Sequence, residues 1–269
     1  MDEYNKMNQL NIPLLDIRHI DVCYNGTPVV EDVSLAVDQG EILGIVGESG
    51  SGKSTVIRAA MGLLGGNGMV TRGDIYYKGI NIPDADHRTL CKLRGAEMGM
   101  VFQNAGASLS PIRTIGDQMY ESVRMHEAIS RKEMEERAID LFAKIRLEDG
   151  VRILNSYPFE LSGGMNQRVG IVMAMILKPE LLFADEPTSA LDVTVQAQVV
   201  EEMLALREAF GTAIVIVSHN IAVIEKMADR IAVMKDGKLV EYGPVKEVIG
   251  DPKEAYTKEL LGAVLRVQR

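Results

Sequence analysis

Gly47-Glu48-Ser49-Gly50-Ser51-Gly52-Lys53-Ser54-Thr55 is the most informative stretch of the chain. It follows the pattern G-x-x-x-x-G-K-[ST] of a phosphate-binding loop. The apolar residues 41–46 predict a strand before this loop, and residues 56–64 predict a helix after it. Glycines let backbone N–H groups approach a polyphosphate closely, and a helix N-terminus adds unpaired donors and a positive dipole end. The stretch therefore predicts a nucleotide site.

Composition limits the classes of protein that need to be considered. The chain has 269 residues, of which 46% are hydrophobic, which is enough for a well-buried core. Its net charge of −9 argues against a primary role on nucleic acid, whose binders usually carry a basic face. Cys23 and Cys91 are too far apart in sequence for a Cys-x-x-Cys metal site and are interpreted as structural thiols.

No stretch of the sequence suggests a targeting or spanning segment. Residues 1–11 are polar and lack the apolar centre of a signal peptide. No apolar run approaches the roughly 18 residues that a membrane-spanning helix needs. We therefore expect a cytoplasmic protein with no transmembrane segment of its own.

Antiparallel strands are predicted before the phosphate loop. Residues 14–24 alternate between apolar and polar side chains, with a slip near His19. Asn25-Gly26 is a hairpin turn signal, and residues 29–37 can return as the paired strand. A second hairpin is predicted at Asp236-Gly237.

A helical insertion is predicted between the strands of the core. Ser130 to Glu133 forms an S-x-x-E capping box, and the helix that it opens carries one apolar stripe. We assign residues 105–179 to a helical subdomain. Residues 1–104 and 180–269 are assigned to an α/β core that includes the antiparallel strands.

Two apolar runs of the core end in residues that carry chemistry. Residues 181–184 lead into Asp185-Glu186, and residues 213–217 lead into Ser218-His219. Continuous apolar runs are typical of buried parallel strands. In open α/β sheets, ligands bind at the carboxyl ends of such strands.

The segment Leu161-Ser162-Gly163-Gly164-Met165-Asn166-Gln167-Arg168 resembles the LSGGQ signature of ATP-binding cassette (ABC) ATPases. The family's other motifs are matched in order by Gln103 (the Q-loop), by Leu182 to Glu186 (Walker B and the catalytic glutamate), by Ser189-Ala190-Leu191-Asp192 (the D-loop) and by His219 (the switch histidine). The resemblance implies an α/β P-loop NTPase fold of the ABC type, with an N-terminal antiparallel β subdomain and an inserted α-helical subdomain.

The resemblance implies ATP and Mg²⁺ as ligands and gives each matched residue a role. Tyr24 would stack on adenine, although the alternative for a strand-end tyrosine is packing on the core. Lys53 would reach the β- and γ-phosphates. Glu186 would act as the base for the attacking water, and His219 would bind the γ-phosphate and orient that water. The Mg²⁺ ligands implied are Ser54, Asp185 and Gln103, the last of which would touch Mg²⁺ or the water.

In this family two cassettes pair head-to-tail. Ser162, Gly163 and Gly164 would then close the partner's nucleotide site rather than the site in their own chain. ATP would hold the pair together, and hydrolysis would release it.

Three stretches narrow the resemblance to the peptide/nickel/opine uptake branch: residues 101–111, 184–198 and 255–261. That branch implies an importer subunit at the cytoplasmic face of the membrane. Its partners would be a second, non-identical ABC ATPase, two transmembrane permeases and, indirectly, an extracytoplasmic binding protein. No nucleic-acid partner is expected.

Alternatives and departures remain open. An ABC exporter is the nearest alternative, and a DNA-repair or translation ATPase is a more distant one. Met165 replaces the glutamine of the signature, Asn104-Ala105 replaces the usual Asp-Pro, and Asn220 replaces the aspartate after the switch histidine. Asn and Asp are comparable N-caps, so a helix beginning at Ile221 is expected to survive the last exchange. The transported solute is left open.

Overall fold

The computed structural model describes residues 12–189 and 191–267. The predicted polar character of residues 1–11 and the Ala190 position of the D-loop-like stretch lie outside the described residues. The chain divides into two compact units, one containing residues up to 90 and from 215 onward, the other residues 91–214. None of the helices in these described ranges combines the length and apolar character needed to cross a bilayer.

The strands are β1 (Leu15–Tyr24), β2 (Thr27–Val37), β3 (Ile42–Val46), β4 (Gly68–Tyr77), β5 (Ile80–Asn81), β6 (Met98–Val101), β7 (Leu181–Asp185), β8 (Ala213–Val217), β9 (Arg230–Lys235) and β10 (Lys238–Pro244). The helices are α1 (Lys53–Ala60), α2 (His87–Leu93), α3 (Ala105–Ser108), α4 (Ile115–Arg124), α5 (Arg131–Lys144), α6 (Gly150–Asn155), α7 (Gly163–Met175), α8 (Val193–Phe210), α9 (Ile221–Met227), α10 (Val245–Gly250) and α11 (Ala255–Val267). A short 3₁₀ helix, Pro158–Glu160, precedes α7.

An antiparallel sheet in the first unit has the strand order β2-β1-β4-β5. The hairpin predicted at Asn25-Gly26 is confirmed, because Tyr24 pairs with Thr27 and the two turn residues have φ of 50° and 76°. The predicted slip near His19 is a bulge: the β1–β2 register shifts between Ile17 and Ile20, and His19 has φ 49°.

The remaining strands of the first unit position the phosphate loop. β3 is buried along its whole length and pairs in parallel with β9, which forms the predicted hairpin with β10. α1 begins at Lys53, earlier than predicted, because Gly52 adopts the left-handed conformation with φ 93° immediately before it. α1 also ends at Ala60 rather than at residue 64. Its end is a Schellman motif, in which the Leu63 N–H donates to Arg58 O and the Gly62 N–H to Ala59 O.

The second unit contains the parallel pair β6 and β7 and most of the helices. The predicted capping box is confirmed: the Ser130 hydroxyl accepts from the Glu133 N–H, and the Glu133 carboxylate accepts from the Ser130 N–H. The predicted stripe consists of Met134, Ala138, Leu141, Phe142 and Ile145, and all five side chains are buried. The first four lie in α5, and Ile145 is its C-cap. A buried ion pair between Arg168 and Glu202 joins α7 to α8.

Candidate nucleotide site

The phosphate loop surrounds the Lys53 ammonium group with oxygen atoms. Lys53 Nζ lies 2.9 Å from the Gly47 carbonyl oxygen, 2.6 Å from the Glu48 carbonyl oxygen and 3.4 Å from Ser51 Oγ, and the lysine is only 5% exposed. Gly47 has φ 150°, and a Cβ there would lie 2.1 Å from the Met234 carbonyl oxygen. Only glycine fits this position, so the loop is held tightly against β9.

The phosphate loop leads directly into the N-terminus of α1. Gly52 turns the chain directly into α1, so that Lys53 and Ser54 occupy its first turn. The first N–H groups of a helix have no partner within the helix, and the positive dipole end favours negative charge. This arrangement suits a polyphosphate, with the lysine charge beside the helix N-terminus.

Tyr24 ends β1 and is half-buried. Gly68 of β4 pairs with it, and a Cβ at residue 68 would lie 2.7 Å from Tyr24 Cε1. The ring therefore packs closely against backbone while part of the side chain remains accessible. This position is compatible with stacking on a base, and the core-packing alternative also remains.

His219 follows β8 and is exposed. Asn220 begins the next helix, with its side-chain oxygen accepting from the Ala222 N–H at 3.1 Å. The expectation that asparagine would cap a helix starting at Ile221 is confirmed.

In the second unit, the acidic pair lies at the end of β7. Asp185 is the last residue of the strand and is 8% exposed. Glu186 has φ 47°, a left-handed conformation that costs a glutamate about 1–3 kcal/mol and that concentrates at functional sites. Gln103 Nε2 donates to Glu186 Oε2 at 3.1 Å. The structure thus brings together two of the predicted site residues that lie 83 positions apart in sequence.

The signature-like stretch forms a helix N-terminus. Ser162 is exposed and is the N-cap of α7, with its hydroxyl accepting from the Met165 N–H at 3.2 Å. The cap uses the backbone of Met165, so the departure from glutamine does not disturb it. Apart from its chain neighbours and the backbone of α7, no atom of the described residues lies within 4 Å of where a Cβ on Gly163 would be, which leaves space beside this residue.

Two further residues contact the site loops and were not assigned a role from sequence. Gln167 is 4% exposed; its side chain accepts from the Ala105 N–H and donates to the Phe102 carbonyl oxygen, on both sides of Gln103. The Tyr256 hydroxyl accepts from the Glu48 N–H in the phosphate loop. Each lay within a stretch that resembled the family, but nothing local indicated its partner.

The candidate metal ligands are all oxygen donors. Ser54 offers a hydroxyl, Asp185 a carboxylate and Gln103 an amide oxygen, the donor types that Mg²⁺ prefers. Within the described ranges there is no cluster of three or more His, Cys, Asp or Glu side chains that could hold a metal ion by itself. Mg²⁺ usually binds through one or two carboxylates together with phosphates and water, so the available donors fit a nucleotide-bound ion.

Comparison with known proteins identifies relatives that match most of the chain. A family model described as "ABC transporter" matches residues 30–189. The metal-staphylopine import system ATP-binding protein CntD of Staphylococcus aureus is 40% identical over 256 residues, which cover 94% of this chain and 94% of CntD. The oligopeptide transport ATP-binding protein AmiE of Streptococcus pneumoniae is 41% identical over 236 residues, which cover 87% of this chain and 66% of AmiE.

Among solved structures, the chain resembles an ATP-binding cassette, MJ0796, determined as a dimer in a post-hydrolysis state with ADP and Pi bound. The TM-score is 0.75 at 29% identity, and the match covers 86% of this chain and 98% of that one.

Proposed function

The chain belongs to the ABC transporter family, and we propose that it is the ATP-hydrolysing subunit of an importer for peptides, nickel, or metal–chelate or opine compounds. The family membership and fold predicted from the ordered motifs are confirmed by the family model and by the similar cassette structure. The observation that carries the function is the similarity to CntD, a relative named for import, over 94% of each chain.

In the first unit, the phosphate loop binds the phosphates of ATP. The loop residues 47–55 supply backbone donors, and Lys53 supplies the charge that meets the β- and γ-phosphates. Tyr24 stacks on adenine, and His219 hydrogen-bonds the γ-phosphate. The buried position of Lys53 among carbonyl oxygens supports this role, because it keeps the charge in the loop rather than in solvent.

Hydrolysis converts ATP and water to ADP and phosphate. Glu186 accepts the proton of the attacking water; such general bases contribute about 10²- to 10⁴-fold to the rate. The strained backbone of Glu186 and the hydrogen bond from Gln103 support this role, since both restrict where the carboxylate can lie. Mg²⁺, when bound with ATP, would be held by Ser54, Asp185 and Gln103 and would neutralise phosphate charge.

The signature acts on a second cassette. The open N-terminus of α7, with Ser162, Gly163 and Gly164, completes the nucleotide site of a partner ATPase. We propose that this partner is a different chain, as in the branch that the sequence resembles. Two transmembrane permeases, fed by an extracytoplasmic binding protein, place the assembly at the cytoplasmic face of the membrane.

A test of this function uses Lys53 and Glu186 in the assembled complex. Lys53→Ala is expected to weaken ATP binding itself, because it removes the charge at the phosphates. Glu186→Gln is expected to keep binding but to stop turnover, because an amide cannot accept the proton. Nucleotide affinity and phosphate release are measured for each. Full turnover with Glu186→Gln would mean that another residue is the base.

A further inference from the structure

The stretch from Ala255 to Leu261 has no part in the ATPase scheme above. It forms the beginning of α11, and its Tyr256 is 8% exposed. The Tyr256 hydroxyl accepts a hydrogen bond from the Glu48 N–H at 3.1 Å, across 208 positions of sequence. A tyrosine from the last helix therefore contacts the phosphate loop itself.

The contacted N–H belongs to the peptide group between Gly47 and Glu48. The carbonyl of the same peptide group, Gly47 O, accepts from Lys53 Nζ at 2.9 Å. A peptide group is planar, and in its trans form the N–H and C=O point in opposite directions. Tyr256 and Lys53 thus hold opposite edges of one rigid group. Rotation of that group would move the carbonyl away from the lysine.

Glu241 fixes the segment that precedes Tyr256, and Lys235 contacts the Tyr256 ring. Just before α11, the Glu241 carboxylate accepts from the Lys253 N–H at 2.7 Å and from the Glu254 N–H at 3.2 Å. Burial acts to raise the pKa of Glu241, but these backbone donors, together with the Thr257 side chain and the Lys253 charge, outweigh it and lower the pKa. Lys235 Nζ lies 4.6 Å from the centre of the Tyr256 ring.

β9 joins these contacts to the loop. Lys235 is the last residue of β9, and the preceding carbonyl, Met234 O, is the atom that leaves no room for a Cβ at Gly47. The Gly47–Glu48 peptide group therefore has backbone on one side and the hydroxyl of Tyr256 at its N–H. Both contacts lie within the first unit.

We propose that Tyr256 is a positioning residue, which fixes the Gly47–Glu48 peptide group and, through its carbonyl, the Lys53 ammonium that binds the phosphates of the nucleotide. This inference rests on the proposed ATP-binding function. It gives the C-terminal helix a direct part in shaping the phosphate loop.

The competing explanation is that Tyr256 only packs α11 onto the first unit. Tyr256→Phe separates the two, because it keeps the ring and removes the hydroxyl. Loss of one hydrogen bond of ordinary strength is expected to weaken Mg-ADP binding by about fivefold. If the effect passes through Lys53, the same change in a Lys53→Ala background should cause no further loss. A packing defect would weaken both backgrounds equally.

Tyr242→Phe is the matched control. Its half-buried hydroxyl also bonds backbone in the first unit, donating to Ala36 O at 3.0 Å and accepting from Ala36 N at 3.3 Å. The residue that this hydroxyl bonds, Ala36, lies in β2 rather than in the phosphate loop. Both variants should lower the thermal midpoint to a similar extent, but only Tyr256→Phe should weaken binding of the nucleotide.

The experiment titrates the full chain with fluorescent Mg-ADP and measures hydrogen exchange at the Glu48 amide without nucleotide. In Tyr256→Phe that amide should exchange several-fold faster than in the wild-type chain. Unchanged exchange would refute the idea that the Tyr256 hydroxyl holds the Glu48 amide (the tether), whatever the measured nucleotide affinity. Faster exchange with wild-type affinity would overturn the positioning role. Failure of the wild-type chain to bind Mg-ADP would instead refute the proposed function, while the exchange result still decides the tether.

Discussion

Replacing Arg168 with methionine tests how the signature helix is anchored. Arg168 Nε donates to Glu202 Oε2 at 3.0 Å, and one of its terminal nitrogens lies 2.6 Å from Glu202 Oε1. The same nitrogen donates to the Ile145 carbonyl oxygen at 2.7 Å. The side chains of the pair are only 10% and 5% exposed. Arg168→Met keeps the aliphatic length but leaves a buried carboxylate without its cation.

Removing one partner of a buried ion pair typically costs about 3–5 kcal/mol, because the remaining charge is uncompensated. Arg168→Met should therefore lower the free energy of unfolding by that amount at neutral pH. Glu202→Gln also leaves a buried charge without its partner, that of Arg168, and should be destabilising for the same reason, although the amide oxygen can still accept a hydrogen bond from the arginine. The control is Lys132→Ala, which removes an exposed pair with Glu136 and should cost well under about 1 kcal/mol.

The pH dependence supplies a second test. Burial raises the pKa of Glu202 despite the opposing hydrogen bond and charge of Arg168. A raised pKa means that the folded state binds the proton more tightly than the unfolded state does. Its contribution to stability is therefore full below the usual glutamate pKa and is lost as the pH rises through the folded-state value. Glu202→Gln should flatten this part of the curve, and the penalty of Arg168→Met should shrink as the pH falls, because a protonated Glu202 needs no cation.

Urea unfolding followed by circular dichroism is the assay, since the chain contains no tryptophan. Measurements at pH 5 and pH 7.5 give the loss of unfolding free energy for each variant and show whether that loss shrinks or grows as the pH falls. Equal, small losses for Arg168→Met and Lys132→Ala would refute the argument that the buried pair anchors α7. A penalty for Arg168→Met that grows at low pH would refute the explanation from burial.

Three further predictions concern nucleotide chemistry. Lys53→Ala should remove a charge contact worth about 4 kcal/mol, at a separation near 4 Å and an effective dielectric near 20, and the loss is measured as ATP affinity. Glu186→Gln should leave ATP affinity intact and stop phosphate release. Tyr24→Phe should bind ATP like the wild type, whereas Tyr24→Ala should lose about 1–3 kcal/mol of affinity, and wild-type binding by the alanine variant would favour core packing. Ser162→Arg should spare ATP binding by its own chain and impair turnover in the assembled complex; an isolated monomer whose specific activity is full and independent of concentration would contradict the shared site.

Sequence alone was sufficient wherever a local rule decides the structure. Asn25-Gly26 and Asp236-Gly237 form hairpin turns because their residues tolerate positive φ, and both turns adopt it. The capping box at Ser130 needs only two side chains three positions apart. The family followed from motifs in a fixed order. These features needed no knowledge of tertiary contacts.

The sequence did not predict the structure where several neighbouring residues could end a helix equally well, or where two residues in contact lie far apart in sequence. Four glycines follow α1, at positions 62, 65, 66 and 68, and the sequence does not indicate that Gly62 takes the left-handed end of the helix. The contacts of Gln167 and Tyr256 join residues more than 60 positions apart, so no periodic pattern reveals them. Glu186 has a positive φ, which a glutamate disfavours, so its conformation is imposed by the fold rather than by its residue type.

The contacts of Gln167 and Tyr256 have the same physical effect, which is to fix the backbone of a loop. Gln103 and Glu48 lie in loops, whose backbone has few bonds of its own to fix it. In each unit a buried polar side chain on a helix supplies the missing bond, Gln167 beside Gln103 and Tyr256 at Glu48. A loop held in this way presents its functional groups without first having to be ordered by the ligand, which reduces the free-energy cost of binding. In the proposed ATPase, Gln167 and Tyr256 therefore act through the backbone that they hold in place.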